Sequence, residues 1–555
     1  MSAFVGLPVA VTGVDSGDPL YRRYRKVVSD KMLWNSLWHE ITELMLPNRA
    51  DFVTKRAQGE RRTRRLFDTT GLEAVDRLAA AISGTVTPNT VKWVDYELPR
   101  PKWAEHSSEA DEWLAEASEV TYGSFQHSNF AAESYASYLE DIALGTKGMY
   151  IEEHPDFIHP LFQSVPLSQY AFTVGRDGLV NTVWRDCRMS VWEAVERWGE
   201  ERVGERIAGI YKADPFKDVV IVHCIYKQGV PIKTRYQHHF PISSIYFDAE
   251  SFHRIDEGGY WEWPFPVSRW STTGVEIYGR GPGMLALPDV QTLNKADELS
   301  LKSWSQSLQP PYLYLHDGVV PSKPDLRPGH GTAVRSIDPP AIVPFPNAAR
   351  IDHEQMKRED KRASVRRMFF MDQIQFVPER GKTPPTATEV QARLQIMLQI
   401  LGPTLSRSEY EFLEPAVNRV FAINYRRGKI PPAPPIIREL ARLNGGQILA
   451  QFVGPIAKAK RQSVLAGIQE TFAFAGSAAA VKPDIVDVLD WDEGVRLAGS
   501  INGAPISIIR SREDVKQIRD QRIAQQNQQQ QVEQSVQATQ AAKNMQGVMD
   551  GATAA

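Results

Sequence analysis

The chain has 555 residues and a mass of 62.4 kDa, with 42% hydrophobic and 24% charged residues. This composition supplies a large core and excludes a mostly disordered chain; at roughly 150 residues per domain it allows three to four domains. Lys plus Arg is 64 and Asp plus Glu is 67, a net charge of −3, which argues against a surface that grips nucleic acid everywhere.

Only two cysteines are present, Cys187 and Cys224. They exclude a disulfide-stapled scaffold and a CxxC metal knuckle, and the expectation is two buried thiols in a reducing compartment. The first residues carry no basic start followed by a long apolar block, so no signal peptide is expected. No apolar run approaches the roughly 18 residues that span a bilayer.

In chain order, the first predicted helix runs over Pro19–Leu46. Leu20, Tyr24, Val27, Trp34, Trp38, Ile41 and Met45 recur at helical spacing, and Pro47 stops it. A basic tract follows: Lys55, Arg56, Arg61, Arg62, Arg64 and Arg65. Asp68 is a candidate N-cap for a helix carrying Leu72, Val75, Ala79 and Ile82, which Gly84 and Pro88 end. Val91–Leu98 alternates as a strand. One long helix is expected within Ser107–Leu144. From Met149 to Trp270 the pattern is of short strands, with Asp177-Gly178 as a hairpin turn. Eleven of the 13 tryptophans precede residue 271, so this α+β half is the most densely packed part.

The middle of the chain is built differently. Gly279-Arg280-Gly281-Pro282-Gly283 is a turn cluster, and Pro288 is expected to open a helix that ends before Pro310-Pro311. Its apolar stripe is patchy, which suits a place among neighbouring helices. A second long helix, Ile351–Met371, mixes Lys357, Arg358, Lys361, Arg362, Arg366 and Arg367 with Asp352, Glu354, Glu359 and Asp360. Intrahelical and intersubunit ion pairs are the expected use of these charges. A loop spans Gln373–Pro385. Thr386 and Glu389 form a capping-box pattern ahead of Val390, Leu394, Met397 and Leu401, and Gly402-Pro403 is expected to kink or break that helix. Residues 436–520 read as mostly helical. From Gln521 onward come eleven Gln and few large apolar residues, a segment that cannot order itself alone.

Catalytic motifs are missing. Gly381-Lys382-Thr383 lacks the upstream glycine of a phosphate loop, and neither GxSxG nor HExxH occurs. His238 and His239 are neighbours in an expected strand, so they point to opposite faces and cannot easily share a metal. The acidic cluster Asp484, Asp487, Asp490, Asp492 and Glu493 fails as a calcium loop, because Leu489 falls where an acid is required. The GRGPG turn precedes a helix but lacks a dinucleotide fingerprint, so a structural turn is expected.

Three extended segments carry a resemblance. They are LFDTTGLEAVDRLAAAISGTVTPNTVKWVDYEL (66–98), YGRGPGMLALPDVQTLNKADELSLKSWSQSLQPPYLYL (278–315) and ERGKTPPTATEVQARLQIMLQILGPTLSRSEYEFLEPAVNRVF (379–421). In that order they resemble the portal proteins, the head-to-tail connectors of short-tailed double-stranded DNA bacteriophages. The likeness covers most of residues 20–520.

The resemblance implies an α+β, predominantly helical, multi-domain portal fold that assembles as a closed ring, most often a dodecamer, with a central channel. It implies a wing at 1–287, a first stem helix at 288–309, a clip at 310–349, a second stem helix at 350–372 and a tunnel loop at 373–385. The kinked wing helix and its successor then fall at 386–435, a helical crown at 436–520, and a C-terminal tail or barrel at 521–555. Gln375, Glu379, Arg380 and Lys382 become candidate channel-facing residues. Lys357, Arg358, Glu359, Lys361 and Arg362 become a candidate stem charge network. Implied partners are further copies of the chain, double-stranded DNA in transit, the terminase motor, tail adaptors, the major capsid and scaffold proteins, and internal core or ejection proteins. No enzymatic activity, cofactor, metal or membrane is expected, and the place of action is the capsid portal vertex, after assembly in the host cytoplasm. A conduit must let DNA slide, and low net charge suits weak, repeated phosphate contact. The rival expectations are another ring-forming head–tail adaptor or tail component, and a metal-dependent nuclease.

Overall fold

The computed structural model describes residues 19–54, 59–89, 91–97, 108–153, 158–229, 239–274, 276–316, 318, 323, 325, 327–335, 343–344, 351–374, 396, 400–443, 449–452, 455–479, 482–502, 510 and 512–552. It is mixed helix and sheet, with helix predominant. The chain divides into two compact units: Met1–Val94, Val120–Ile430 and Gly454–Ile456 form one, and Asp95–Glu119, Pro431–Val453 and Ala457–Ala555 the other.

The first unit opens with α1 (Pro19–Met45) and α2 (Thr70–Val86). Both match the periodicity in the sequence, and Asp68 Oδ1 accepts the Thr70 amide at the start of α2. Most of a short strand, β1 (Val94–Glu97), and the first part of α3 (Ser108–Gln126) belong to the second unit; α4 (Phe130–Leu144) follows in the first, so two helices stand where one was expected. The break has a cause. Asn129 turns out of the helical path and bonds the backbone of Phe162 on both sides, accepting from its N–H at 3.0 Å and donating to its carbonyl at 2.7 Å.

Strands β2 (Thr146–Glu152) and β3 (Leu161–Ser164) then form an antiparallel pair. A five-stranded antiparallel sheet follows: β4 (Tyr170–Val174), β5 (Val180–Ser190), β6 (Asp218–Lys227), β7 (Ile242–Asp248) and β8 (Arg254–Tyr260), in sequence order. The β4–β5 connection is the expected Asp177-Gly178 hairpin, with Gly178 at φ +76°. Between β5 and β6 lie α5 (Val191–Trp198) and α6 (Gly204–Ala213).

Helices cover both faces of this sheet. Leu20, Tyr24 and Val27 of α1 pack on Trp184, Cys224, Ile245 and Phe247. Ala194, Trp198 and Ile207 of α5 and α6 pack on Ile221 and Tyr246, on the opposite face. Strand β6 is therefore buried on both sides, which is why Val219–Tyr226 reads as a nearly unbroken apolar run. The two thiols are free, and the strand alternation puts them on opposite faces, Cys224 buried and Cys187 half-buried. His239 sits in a turn rather than a strand, and His238 lies outside the described residues.

Strand β9 (Val267–Arg269) returns to β2, and α7 (Pro282–Leu308) follows. This helix starts six residues before the expected Pro288, which is accommodated inside it. Its first two turns are anchored by buried Met284, Ala286 and Leu287. A three-stranded sheet comes next, with β10 (Tyr312–Leu315) between parallel β11 (Gly331–Val334) and antiparallel β12 (Val343–Pro344). Helix α8 (Ile351–Met368) ends earlier than expected, because Phe370 adopts φ +56° and turns the chain into the short α9 (Met371–Ile374).

Residues 400–408 are helical across Gly402-Pro403, and most of the helix expected upstream lies outside the described residues. The irregularity is a wide π turn at Glu409–Leu413, immediately before the helix α10 (Glu414–Arg426). Pro415 explains it: proline has no N–H to give the Glu411 carbonyl, and its ring would clash with that carbonyl in a regular helix. The Glu414 amide instead bonds five residues back, to the Glu409 carbonyl.

In the second unit, β13 (Leu449–Phe452) pairs with β1. Helices cover Pro435–Leu443, Pro455–Ala479, Trp491–Asn502 and Arg512–Ala552. The last has 41 residues, so the Gln-rich segment is helical through Ala552. Among the described residues no helix is long and apolar enough to cross a membrane.

Candidate functional site

The two long helices α7 and α8 form the candidate site. They run antiparallel, as their ion pairs require: Asp289 meets Lys361 and Ser364, while Asp297, further along α7, meets Arg358 and Arg362. The distances are 2.5 Å for Lys361–Asp289, 2.8 Å for Arg358–Asp297 and 2.9 Å for Arg362–Asp297. Arg362 also reaches Asp68 at 2.9 Å and Glu359 at 2.8 Å. Val365 of α8 is fully buried.

This network gives three of the α8 charges partners beyond their own helix. Arg358, Lys361 and Arg362 find carboxylates on α7 and ahead of α2 in the same chain, and Glu359–Arg362 is an intrahelical pair. Lys357 is exposed, as are Arg366 and Arg367. Burial pushes the Asp68 carboxyl up, but hydrogen bonds from Thr70 and Arg362 outweigh it and hold it below the ordinary carboxylate range. The hydrogen bond from Lys361 does the same for Asp289 against slight burial. Asn294 fastens α7 further, accepting from the Phe67 and Asp68 amides and donating to the Arg65 carbonyl.

The GRGPG turn is a packing joint. A Cβ on Gly279 would stand 2.1 Å from the Gly145 carbonyl oxygen, and one on Gly283 would stand 2.4 Å from that of Ala143. Gly145 itself closes α4 in the left-handed conformation, φ +78°. Glycines at 279, 281 and 283 thus let the start of α7 lie against the backbone that ends α4.

Further along, the same face of α7 is bare. Ala286, Val290 and Leu293 are buried, but Leu301, Trp304 and Leu308, which continue their stripe, are 50, 61 and 69% exposed. Tyr312, Tyr314 and Leu315 of β10 are exposed as well.

The other sequence candidates are accounted for residue by residue. Gln375, Glu379, Arg380 and Lys382 lie outside the described residues, as do Thr386, Glu389, Val390 and Leu394. In the basic tract, Arg62 bonds the Asn48 carbonyl and Asp51, and Arg65 lies 4.0 Å from Glu43. Asp490 caps the helix Trp491–Asn502 through the Glu493 amide, and Asp492 takes both Arg519 nitrogens at 2.6 and 2.7 Å. Among the described residues no group of three or more His, Cys, Asp or Glu could hold a metal ion. Sequence reasoning missed Asp68, Asp289 and Asp297 as partners of α8; the one available signal was that the last two lie about two turns apart on α7.

The chain resembles known proteins over most of its length. The chain is 26% identical over 518 residues to the probable portal protein of Bordetella phage BPP-1, covering 91% of each chain. It is 24% identical over 522 residues to the portal protein of Salmonella phage epsilon15, again covering 91% of each. A solved chain from the virion of a native gene transfer agent particle aligns over 75% of this chain and 91% of its own, at 12% identity and a TM-score of 0.32, a likeness that carries no argument. The model of the bacteriophage head to tail connecting proteins matches residues 18–509, and the chain belongs to that family.

Proposed function

We propose that the chain is a portal subunit. Copies close into a ring at one capsid vertex; double-stranded DNA is packaged, retained and ejected through the channel, and the packaging motor and the tail attach to the ring. The carrying observation is the exposed stripe Leu301, Trp304 and Leu308 on a helix otherwise fastened to its own chain. A contiguous apolar patch on a long helix needs cover, and a head-to-tail contact between copies closes into a ring when its rotation permits.

In this reading α7 and α8 are the stem, the β10–β12 sheet belongs to the clip, and the 373–385 loop faces the DNA. The Arg362 network makes each stem hairpin one rigid piece before assembly. The chain's role is mechanical, with no chemistry of its own, and its place is the virion.

Light scattering after size exclusion, with negative-stain images of the same peak, tests the reading. Twelve copies of 62.4 kDa give a ring of about 750 kDa, and annular particles of that order are expected. A monomer or dimer that never forms rings at high concentration overturns it.

A further inference from the structure

Arg61, Arg62, Arg64 and Arg65 stand within five residues, and Glu60 is the one carboxylate between residues 59 and 67. Lys55 and Arg56, the rest of the basic tract, lie outside the described residues. The four arginines divide into two kinds. Arg62 turns inward: its side chain is 19% exposed, and Nη1 donates to the Asn48 carbonyl at 2.6 Å and to Asp51 at 3.1 Å. Arg61 and Arg64 are exposed, with no hydrogen bond or ion pair among the described residues. Arg65 is 83% exposed, and its carboxylate neighbour, Glu43, is 4.0 Å away.

The backbone that carries them is pinned. The Leu66 amide bonds the Thr63 carbonyl at 3.2 Å. Asn294 of α7 accepts from the Phe67 and Asp68 amides at 2.7 and 3.2 Å and donates to the Arg65 carbonyl at 2.9 Å. Arg62 ties the other end to the segment after α1. Three unneutralised guanidinium groups on a fixed loop repel one another, so their placement adds nothing to the stability of the chain itself. It suits a polyanion: a pinned loop has little freedom left to lose on binding, and each guanidinium is a planar fork that takes two phosphate oxygens. A duplex carries one charge per ~1.7 Å of axis, against one per ~3.3 Å for an unbroken acidic strand. Outward cations this close in sequence fit the denser charge better.

We propose that Arg61, Arg64 and Arg65 form a sequence-independent contact for the phosphate backbone of double-stranded DNA. This contact goes beyond the channel reading: it uses residues other than those of the 373–385 loop, and all three belong to one subunit, so it does not require the ring.

The test is anisotropy of a labelled duplex of about 30 base pairs with the full-length protein, from about 50 to 300 mM salt. Replacing Arg61, Arg64 and Arg65 together by Gln is expected to weaken binding at least about tenfold near 100 mM salt and to make the log–log salt slope shallower by about 2–3. The loss should be equal for duplexes of different sequence. Arg366→Gln with Arg367→Gln removes exposed charge elsewhere on the chain and is expected to stay within about twofold of wild type. Should the triple variant fail to fold, Arg64→Gln alone is expected to lose about threefold. No duplex binding by wild type at the lowest salt, unchanged affinity and slope in the triple variant, or an equal loss in the Arg366–Arg367 variant overturns the proposal. Polyglutamate that binds through these arginines as tightly as the duplex, at equal charge concentration, also overturns it and assigns the surface to an acidic protein. Negative-stain images of the same preparations separate the two readings: triple-variant rings with full DNA affinity overturn this proposal alone, while a chain that never forms rings yet loses affinity in the triple variant upholds it and overturns the portal reading.

Discussion

Arg362 of α8 holds Asp68 through two nitrogens, Nε at 3.0 Å and Nη2 at 2.9 Å, across 294 residues of sequence. Asp68 is nearly inaccessible, and Arg362 is about a quarter exposed. This pair joins the α7–α8 hairpin to the start of α2.

Arg362→Met is expected to destabilise by about 2 kcal/mol, because it strands the buried Asp68 carboxylate. Arg367→Ala, on the exposed end of α8, is expected to stay within about 0.5 kcal/mol of wild type. The pH dependence has a definite sign. Asp68 and Asp289 titrate below their ordinary range when folded, so their contribution is full above that range and fades as pH falls through the folded values. Urea unfolding from pH 7 down to pH 2 should show the gap between wild type and Asp68→Asn closing at acid pH. A constant gap would contradict the pairing.

Lys31 on α1 makes the opposite kind of prediction. Its Nζ donates to the Ser168 and Tyr170 carbonyls at 2.9 and 2.8 Å. Burial lowers its pKa to about 8, against the attraction of Asp186 and Glu140. The unfolded chain holds this proton up to the ordinary lysine value, so folding gains stability between about pH 8 and 10. Relative to Lys31→Met, wild type should gain about 2 kcal/mol on going from pH 7 to 9.5. Parallel curves for the two proteins would show that the amine titrates normally.

Two glycines should respond in opposite directions. Gly279→Ala forces a methyl into the Gly145 carbonyl and is expected to cost about 3 kcal/mol or to prevent soluble expression. Gly209 lies exposed within α6 with open space at its Cβ position. There Gly209→Ala should stabilise by about 0.5–1 kcal/mol. Thermal melts of both variants decide the matter.

The exposed α7 stripe should matter to assembly and not to folding. Trp304→Asp is expected to leave the monomer melt within about 0.5 kcal/mol of wild type, as for other exposed positions, while abolishing rings in negative stain. Normal rings from this variant would move the subunit contact elsewhere.

Arg380→Ala with Lys382→Ala tests the loop. If these side chains touch phosphates, packaging or retention should change, read as packaged genome length and its loss with time, and the change should weaken at high salt. Wild-type length and retention would remove both residues from the DNA path.

Much of the element order was legible in the chain. Leu20, Tyr24, Val27 and Trp38 mark α1 because one face of that helix meets a sheet. Asp177-Gly178 marks its hairpin because the turn needs a residue that tolerates positive φ. What misled were residues whose effect depends on a distant neighbour. Pro288 looks like a helix start, yet the preceding turn is anchored against α4. Ser128-Asn129 looks unremarkable, yet Asn129 finds the Phe162 backbone and splits the expected long helix. The same holds for the charges of α8: six basic residues were visible, but not that Asp289, Asp297 and Asp68 wait for them.

Local sequence determined most helix and strand segments, the lack of catalytic motifs, the polarity of the stem-like helices and the resemblance that names the family. Those follow from periodicity, turn chemistry and composition, which act within a few residues. Tertiary structure alone decided which carboxylates neutralise Arg358 and Arg362 and why GRGPG needs its glycines. Each depends on two backbones or two charged side chains meeting across 61 residues or more, where the cost of a clash or of an unpaired charge is set by the neighbour and not by the spacing along the chain.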